Sequence, residues 1–291
     1  NPVVAAEKAA KDFLVGRGFR ETVHYSFGDR DFFAKVLGQK GDDWIELQNP
    51  IASDMAIMKP SLLPDLLKCY LKNRLLSDSG VRLFELRNGY HKAKGDAVIQ
   101  TPMLTGLYQG NPFGRNRFGM TRDEDFFDGK GLLSQLFDSF KVDLKQSRFE
   151  KWPYHPGQAL GFYNDDVLIA SIGALHPQLL QQLKIKDRLY SFEVDFEALC
   201  QASKQDLNFE AVSSLPSVYR DLALVLPDEV SYEQIMQAIK VSQPKHLKEI
   251  CLFDLFTGGS LPEGKKSLAF SIRYEPSGES LTDELVNEEH F

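Results

Sequence analysis

Cysteine is scarce in this 291-residue chain. Its three cysteines (Cys69, Cys200, Cys251) are far apart and odd in number, and no Cys-x-x-Cys pair occurs. That argues against a disulfide framework and a thiolate metal site, and predicts a reducing, cytoplasmic setting. Long apolar runs are missing too: none approaches the ~18–20 residues needed to span a bilayer, and the first residues lack the pattern of a signal peptide. Positive charge is not in excess, since 34 Lys+Arg stand against 41 Asp+Glu for a formal net charge of −7. A protein that grips nucleic acid by bulk charge is therefore excluded, whereas local contacts are not.

Motifs for self-sufficient chemistry are equally sparse. The six histidines (24, 91, 155, 176, 246 and 290) form no HxxxH or HExxH pair, and no Gly-x-Ser-x-Gly elbow is present. His155-Pro156 and His176-Pro177 read as capping or loop-ordering pairs. Gly259 to Lys266 has P-loop spacing as far as Lys265, but it leads into an alternating strand instead of a helix, so it reads as a hairpin loop. The residues Asp123-Glu124-Asp125 read as a charge cluster at a helix N-terminus.

What the chain does have is core material. It is 43% hydrophobic with 21 Phe, which excludes global disorder, and its length suggests two domains. Apolar spacing predicts a helix from Val3 to Leu14, a β run from Thr22 to Phe27 and a helix from Ser61 to Asp78 with Ser61 as N-cap. Strands at Val81–His91 and Thr101–Gly110 follow, then a helix from Phe126 to Phe140. Three more β runs lie near 159–164, 167–174 and 189–195, with a short helix after Pro177. This mixture is α+β, an antiparallel sheet with helices laid on it. Polar residues around Gln201–Asn208 read as a linker, and from Asp221 the order is β-α-β-β-α, one strand short of a ferredoxin-like unit.

Several segments together resemble the β subunit of bacterial phenylalanine–tRNA ligase. They are Asn49-Pro50-Ile51, Met58–Pro64, Arg82-Leu83-Phe84-Glu85, Asp125–Gly131, His155–Gln158 and Gly173–Pro177. In the second half they are Pro216–Asp221, Leu252–Gly258, Gly264–Leu268 and Leu281–Glu284. The pattern departs from the family at Lys59-Pro60 and Glu279-Ser280, both usually Arg-Thr, and at Phe256, usually Tyr. The resemblance implies a C-terminal fragment of that subunit, which accords with a chain opening on Asn1. Residues 1–200 would be a catalytic-like module, related to the class II synthetase core. Residues 201–212 would be a linker, and 213–291 a ferredoxin-fold anticodon-binding domain, truncated at its C-terminus.

The resemblance also implies a role. The chain would assemble with the catalytic α subunit in an (αβ)₂ tetramer and help position tRNA(Phe), without catalytic residues or a metal site of its own. ATP and Mg²⁺ belong to the whole ligase and no cofactor is expected in the fragment. Class II adenylation needs one arginine on a strand and another at a helix start, to hold phosphate oxygens. Here Arg82 matches the first, with Glu85 as an acidic neighbour, but His176-Pro177 stands where the second would be. Arg82 is therefore expected to be structural or interfacial. Residues 211–291 hold seven Lys/Arg against 13 Asp/Glu, so RNA contact must rest on local charge. Lys265, Lys266 and Arg220 are the RNA-binding candidates, while Phe253 and Phe256 are expected in the core instead of against bases. The alternatives are a free-standing class II-like ligase paralogue and a pure scaffold without RNA contact.

Overall fold

A computed structural model describes residues 2–39, 41, 43–74, 80–93, 97–111, 122–203, 215–242, 244–259, 261–276 and 280–290. Leu75, Asp78, Glu279 and the linker residues 204–212 lie outside that set. The chain divides into two compact units, Asn1–Asp206 and Leu207–Phe291.

In the first unit the order is α1 (Pro2–Gly16), β1 (Arg20–Glu21), β2 (Phe27–Gly28), α2 (Arg30–Leu37), β3 (Ile57–Met58) and α3 (Leu63–Asn73). Next come β4 (Val81–Lys92), β5 (Val98–Gln109), α4 (Phe126–Ser139), β6 (Lys145–Arg148) and β7 (Tyr154–Asn164). The unit closes with β8 (Val167–Leu175), α5 (Pro177–Gln182), β9 (Tyr190–Asp195) and α6 (Phe196–Ala202). Seven strands form one sheet in the order β1-β4-β5-β9-β8-β7-β6, antiparallel throughout except for the β1–β4 pair. Because side chains alternate along each strand, two separate cores form. Phe84, Leu104, Tyr108, Phe192 and Val194 pack with α1, α4 and α6 on one face. Leu83, Leu107 and Leu175 pack with α2, α3 and α5 on the other. Gly106 is required on the first of these faces: a Cβ there would lie 2.1 Å from Cζ of Phe192, whose ring covers it.

Local chemistry explains most boundaries. Asp125 caps α4 by accepting from the Phe127 and Asp128 amides, and Asp128 returns a bond to the Asp125 amide, completing a capping box. His176 caps α5 through Nδ1, with Pro177 at the first helical position, and His155 Nδ1 accepts from the Gly157 amide. Three expectations need correction. The β run predicted over Thr22–Phe27 does not form: only Phe27 lies in a strand, and the Glu85 carboxylate, not a neighbouring strand, accepts the His24 amide (3.1 Å). Helix α3 is shorter than predicted and has Leu62 at its N-cap. Ser61 still accepts from the Leu63 amide (3.2 Å) but gives its own proton to Glu193 (2.7 Å). Gln201 and Ala202, read as linker, are the last residues of α6.

The second unit runs β10 (Val218–Pro227), α7 (Tyr232–Ser242), β11 (Leu247–Thr257), β12 (Lys265–Tyr274) and α8 (Asp283–His290). Its sheet is antiparallel with β12 in the middle, in the order β10-β12-β11. Leu268, Phe270, Ile272 and Tyr274 of β12 face a core that includes Ile235 of α7 and Val286 of α8. Ser231 and Gln234 bond reciprocally at the start of α7, and Thr282 accepts from the Leu285 amide in α8. The antiparallel strands β11 and β12 are consecutive, so their link is a hairpin connection, with Gly264 at φ +73, while Lys265 and Lys266 already belong to β12.

Candidate functional site

Residues three apart on a strand face opposite ways, and β4 applies that rule to Arg82 and Glu85. Arg82 turns toward the α1 and α4 side, where Nε and Nη2 bind the Glu124 carboxylate at 2.8 and 2.6 Å. Its Nη1 donates to the Arg17 carbonyl, and its guanidinium lies 5.6 Å from the Phe19 ring centroid. Every part of this side chain is thus occupied in tying β4 to the loop after α1 and the start of α4.

Glu85 faces the α3 side and is fully buried. It accepts from Lys59 Nζ (3.1 Å), from the His24 amide (3.1 Å), and pairs with His24 Nδ1 (2.8 Å). Burial alone would raise its pKa. The hydrogen bonds from His24 and the charge of Lys59 outweigh that and hold it below the ordinary 4.5. Lys59 is also fully buried, with Asp65 3.6 Å away on its other side. For Asp65 burial wins over Lys59, and its carboxyl is raised. ATP with a magnesium ion does not fit this set: the arginine and the carboxylate point apart and both are engaged, and His176 caps a helix where the second arginine would stand. Among the described residues no group of three His, Cys, Asp or Glu is placed to hold a metal ion.

The second unit differs because α7 and α8 lie on only one face of its sheet. Register places Tyr219, Arg273 and Glu249 in one row across the opposite face, and Val225, Ser267 and Phe256 in another. Between them lie Asp221, Ser271 and Cys251, then Ala223, Ala269 and Asp254, so small side chains line the middle strand. The result is a shallow trough with aromatic side chains at both ends: Tyr219 is 62% and Phe256 47% exposed. Phe253, also exposed, is the extra residue of a bulge between Leu252 and Asp254. The expectation that Phe253 and Phe256 fill the core is therefore corrected. β11 is an edge strand whose outer half is not covered by α7 or α8, and alternation alone cannot reveal that.

The three predicted RNA contacts are not brought together. Lys265 lies on the trough face opposite Pro227. Lys266 falls on the helix side and donates to the Asp228 carbonyl (2.8 Å). Arg220 is also on the helix side, opposite Ile272, six residues from Leu226 (the partner of Lys266) and so ~20 Å along the strand. It donates to the Tyr219 carbonyl (3.2 Å). Arg273 was not among the predicted contacts, yet it sits in the trough, paired with Glu249 (3.1 Å) and Glu275 (3.9 Å). Its odd-numbered position on the strand was the available signal. Stacked bases, rather than a track of phosphates, are what such a face can receive.

Residues 1–196 match the family described as "Phenylalanyl tRNA synthetase beta chain CLM domain", and residues 213–291 match "Ferredoxin-fold anticodon binding domain". A protein named phenylalanine–tRNA ligase beta subunit from Syntrophotalea carbinolica is 31% identical over 97% of this chain and 36% of its own length. The protein of the same name from Hahella chejuensis is 34% identical over 94% of this chain and 34% of its own. The chain thus spans about a third of the length of these relatives. Among solved structures, a pyrrolysyl-tRNA synthetase from Desulfitobacterium hafniense shares the fold, with a TM-score of 0.54 and 17% identity over 67% of this chain and 66% of that one.

Proposed function

This chain belongs to the phenylalanyl-tRNA synthetase beta chain CLM domain family, and on that premise we propose that it is a non-catalytic portion of a cytoplasmic phenylalanine–tRNA ligase. It assembles with a catalytic α subunit in an (αβ)₂ tetramer and helps to place tRNA(Phe), while ATP, Mg²⁺ and phenylalanine are handled by the partner. The observation that carries this reading is the orientation of Arg82 and Glu85. They lie on opposite faces of β4, each consumed by protein contacts, so the strand offers no joint grip on a nucleotide. The open trough of the second unit supports the RNA role, since it is uncovered and aromatic at both ends.

Mixing the chain with a phenylalanine–tRNA ligase α subunit and measuring the mass of the product tests the assembly. A complex containing both chains is expected, and failure to associate at micromolar concentration would overturn it. Protection of the tRNA by that complex, lost when Tyr219 and Phe256 are both changed to Ala, tests the RNA role.

A further inference from the structure

The face of the large sheet that carries Glu85 holds a second polar group that the proposed function leaves unused. Register aligns Glu85 of β4, Thr105 of β5, Glu193 of β9 and Ser171 of β8 in one row across four strands. Such neighbours lie roughly 5 Å apart. At the Glu193 end of this row the sheet opens into a cavity of about 430 Å³, within the size range of small-molecule sites. Phe149, Trp152, Tyr154, Met103 and Leu168 give it an apolar, largely aromatic wall. The aromatic groups are held rigidly: Trp152 Nε1 donates to the Val36 carbonyl (2.8 Å), and Phe149 meets Tyr154 edge-on at 5.9 Å.

Two polar groups in this wall are incompletely used. Glu193 keeps part of its surface accessible, yet its carboxyl is deep enough for burial to raise its pKa, against opposing effects from Ser61 and His91. Among the described residues the Ser61 hydroxyl is its one hydrogen-bond donor. Tyr154 is 3% exposed, and its hydroxyl lies near Ser171 and Ser191 without a well-formed hydrogen bond to either. Neither base of the lining bonds to Glu193: His91 lies 3.6 Å from Asp43, and Lys151 lies over the Phe149 ring. Asp195, the other carboxylate of the lining, caps α6 through the Ala198 amide (2.9 Å).

We propose that this cavity binds a small organic ammonium ion carried on an apolar body, with Glu193 as its counter-ion and the Tyr154 hydroxyl as a second partner. A buried carboxyl with one neutral donor, its pKa raised by that burial, ionises when a positive charge comes beside it. A cation among aromatic faces supplies that charge and adds a cation–π contribution. The site belongs to the first unit alone and does not depend on the function proposed above.

The probe is 2-phenylethylamine, with 2-phenylethanol as the uncharged molecule of the same shape, each titrated calorimetrically into the 291-residue chain at neutral pH. The amine is expected to bind with a Kd of about 0.1–1 mM and the alcohol at least ~10-fold more weakly. Glu193→Gln should weaken the amine by about 10-fold and leave the alcohol unchanged. Tyr154→Phe, which keeps the ring and is expected to leave the unfolding temperature nearly unchanged, should weaken the amine by about 3- to 10-fold. Equal binding of amine and alcohol overturns the proposal, as does no binding of the amine at about 10 mM. If Glu193→Gln fails to fold, full amine affinity in folded Tyr154→Phe overturns the role given to that hydroxyl and with it the two-point site.

Discussion

Both faces of the seven-stranded sheet carry helices, whereas the three-stranded sheet carries α7 and α8 on one face and no described helix on the other. The contrast separates two uses of charged and aromatic side chains. In the first unit, Arg82, Glu85 and the neighbouring Lys59 are closed into protein contacts, and removing Glu85 or Lys59 leaves a fully buried partner unmatched. In the small sheet, Tyr219 and Phe256 have no such role, and a partner molecule can reach them. A residue type that would suggest chemistry in one place is structural where its face is covered, and available for binding where it is not.

The largest effect is expected where the covered sheet is broken. Glu85→Ala leaves Lys59 buried beside only Asp65 and should destabilise the first unit by about 3–5 kcal/mol, read as a fall in its denaturant midpoint. The pH dependence follows from the depressed Glu85 pKa. Wild type should exceed Glu85→Gln in stability by its full margin above pH 4.5, the ordinary value, and lose the margin as pH falls through the lower folded value. A constant margin down to pH 2 would place the carboxylate outside the ion network.

On the open sheet the comparison predicts a different readout. Phe256→Ala or Tyr219→Ala should weaken tRNA(Phe) binding by about 1–3 kcal/mol if each stacks one base, with unfolding temperatures nearly unchanged. A large loss of stability would mean that the trough is covered after all. Arg82→Ala should cost about 1–2 kcal/mol, and a double-mutant cycle with Glu124→Ala should show that the two residues are coupled. Lys265→Glu should alter stability by less than about 0.5 kcal/mol while reducing the salt slope of tRNA binding by about one. Lys266→Glu should change the slope less, because its ammonium is already bound to the Asp228 carbonyl.

Much of this was legible in the sequence, and for identifiable reasons. The alternation of Leu268, Phe270, Ile272 and Tyr274 reports a strand with one buried face, and the caps at Ser231, His176 and Thr282 mark helix starts through short-range bonds. The spacing of Arg82 and Glu85 already contained their opposite orientation. Helices α2 and α6 were missed although Asp29 and Asp195 cap them, because the helices are short and their apolar periodicity is brief. The exposure of Phe253 and Phe256 was hidden, since alternation reveals that a strand has two faces but not which of them a helix reaches. Glu193 was hidden for a different reason: its partner Ser61 is 132 residues away, and only the β5–β9–β8 register brings the cavity together.

Phenylalanine-dependent ATP–pyrophosphate exchange by this chain alone tests most directly whether the covered sheet has surrendered its chemistry to structure. The account predicts no exchange above buffer, with activity appearing only when an α subunit is added. Robust exchange by the isolated chain, abolished by Arg82→Ala in a protein that still folds, would contradict it.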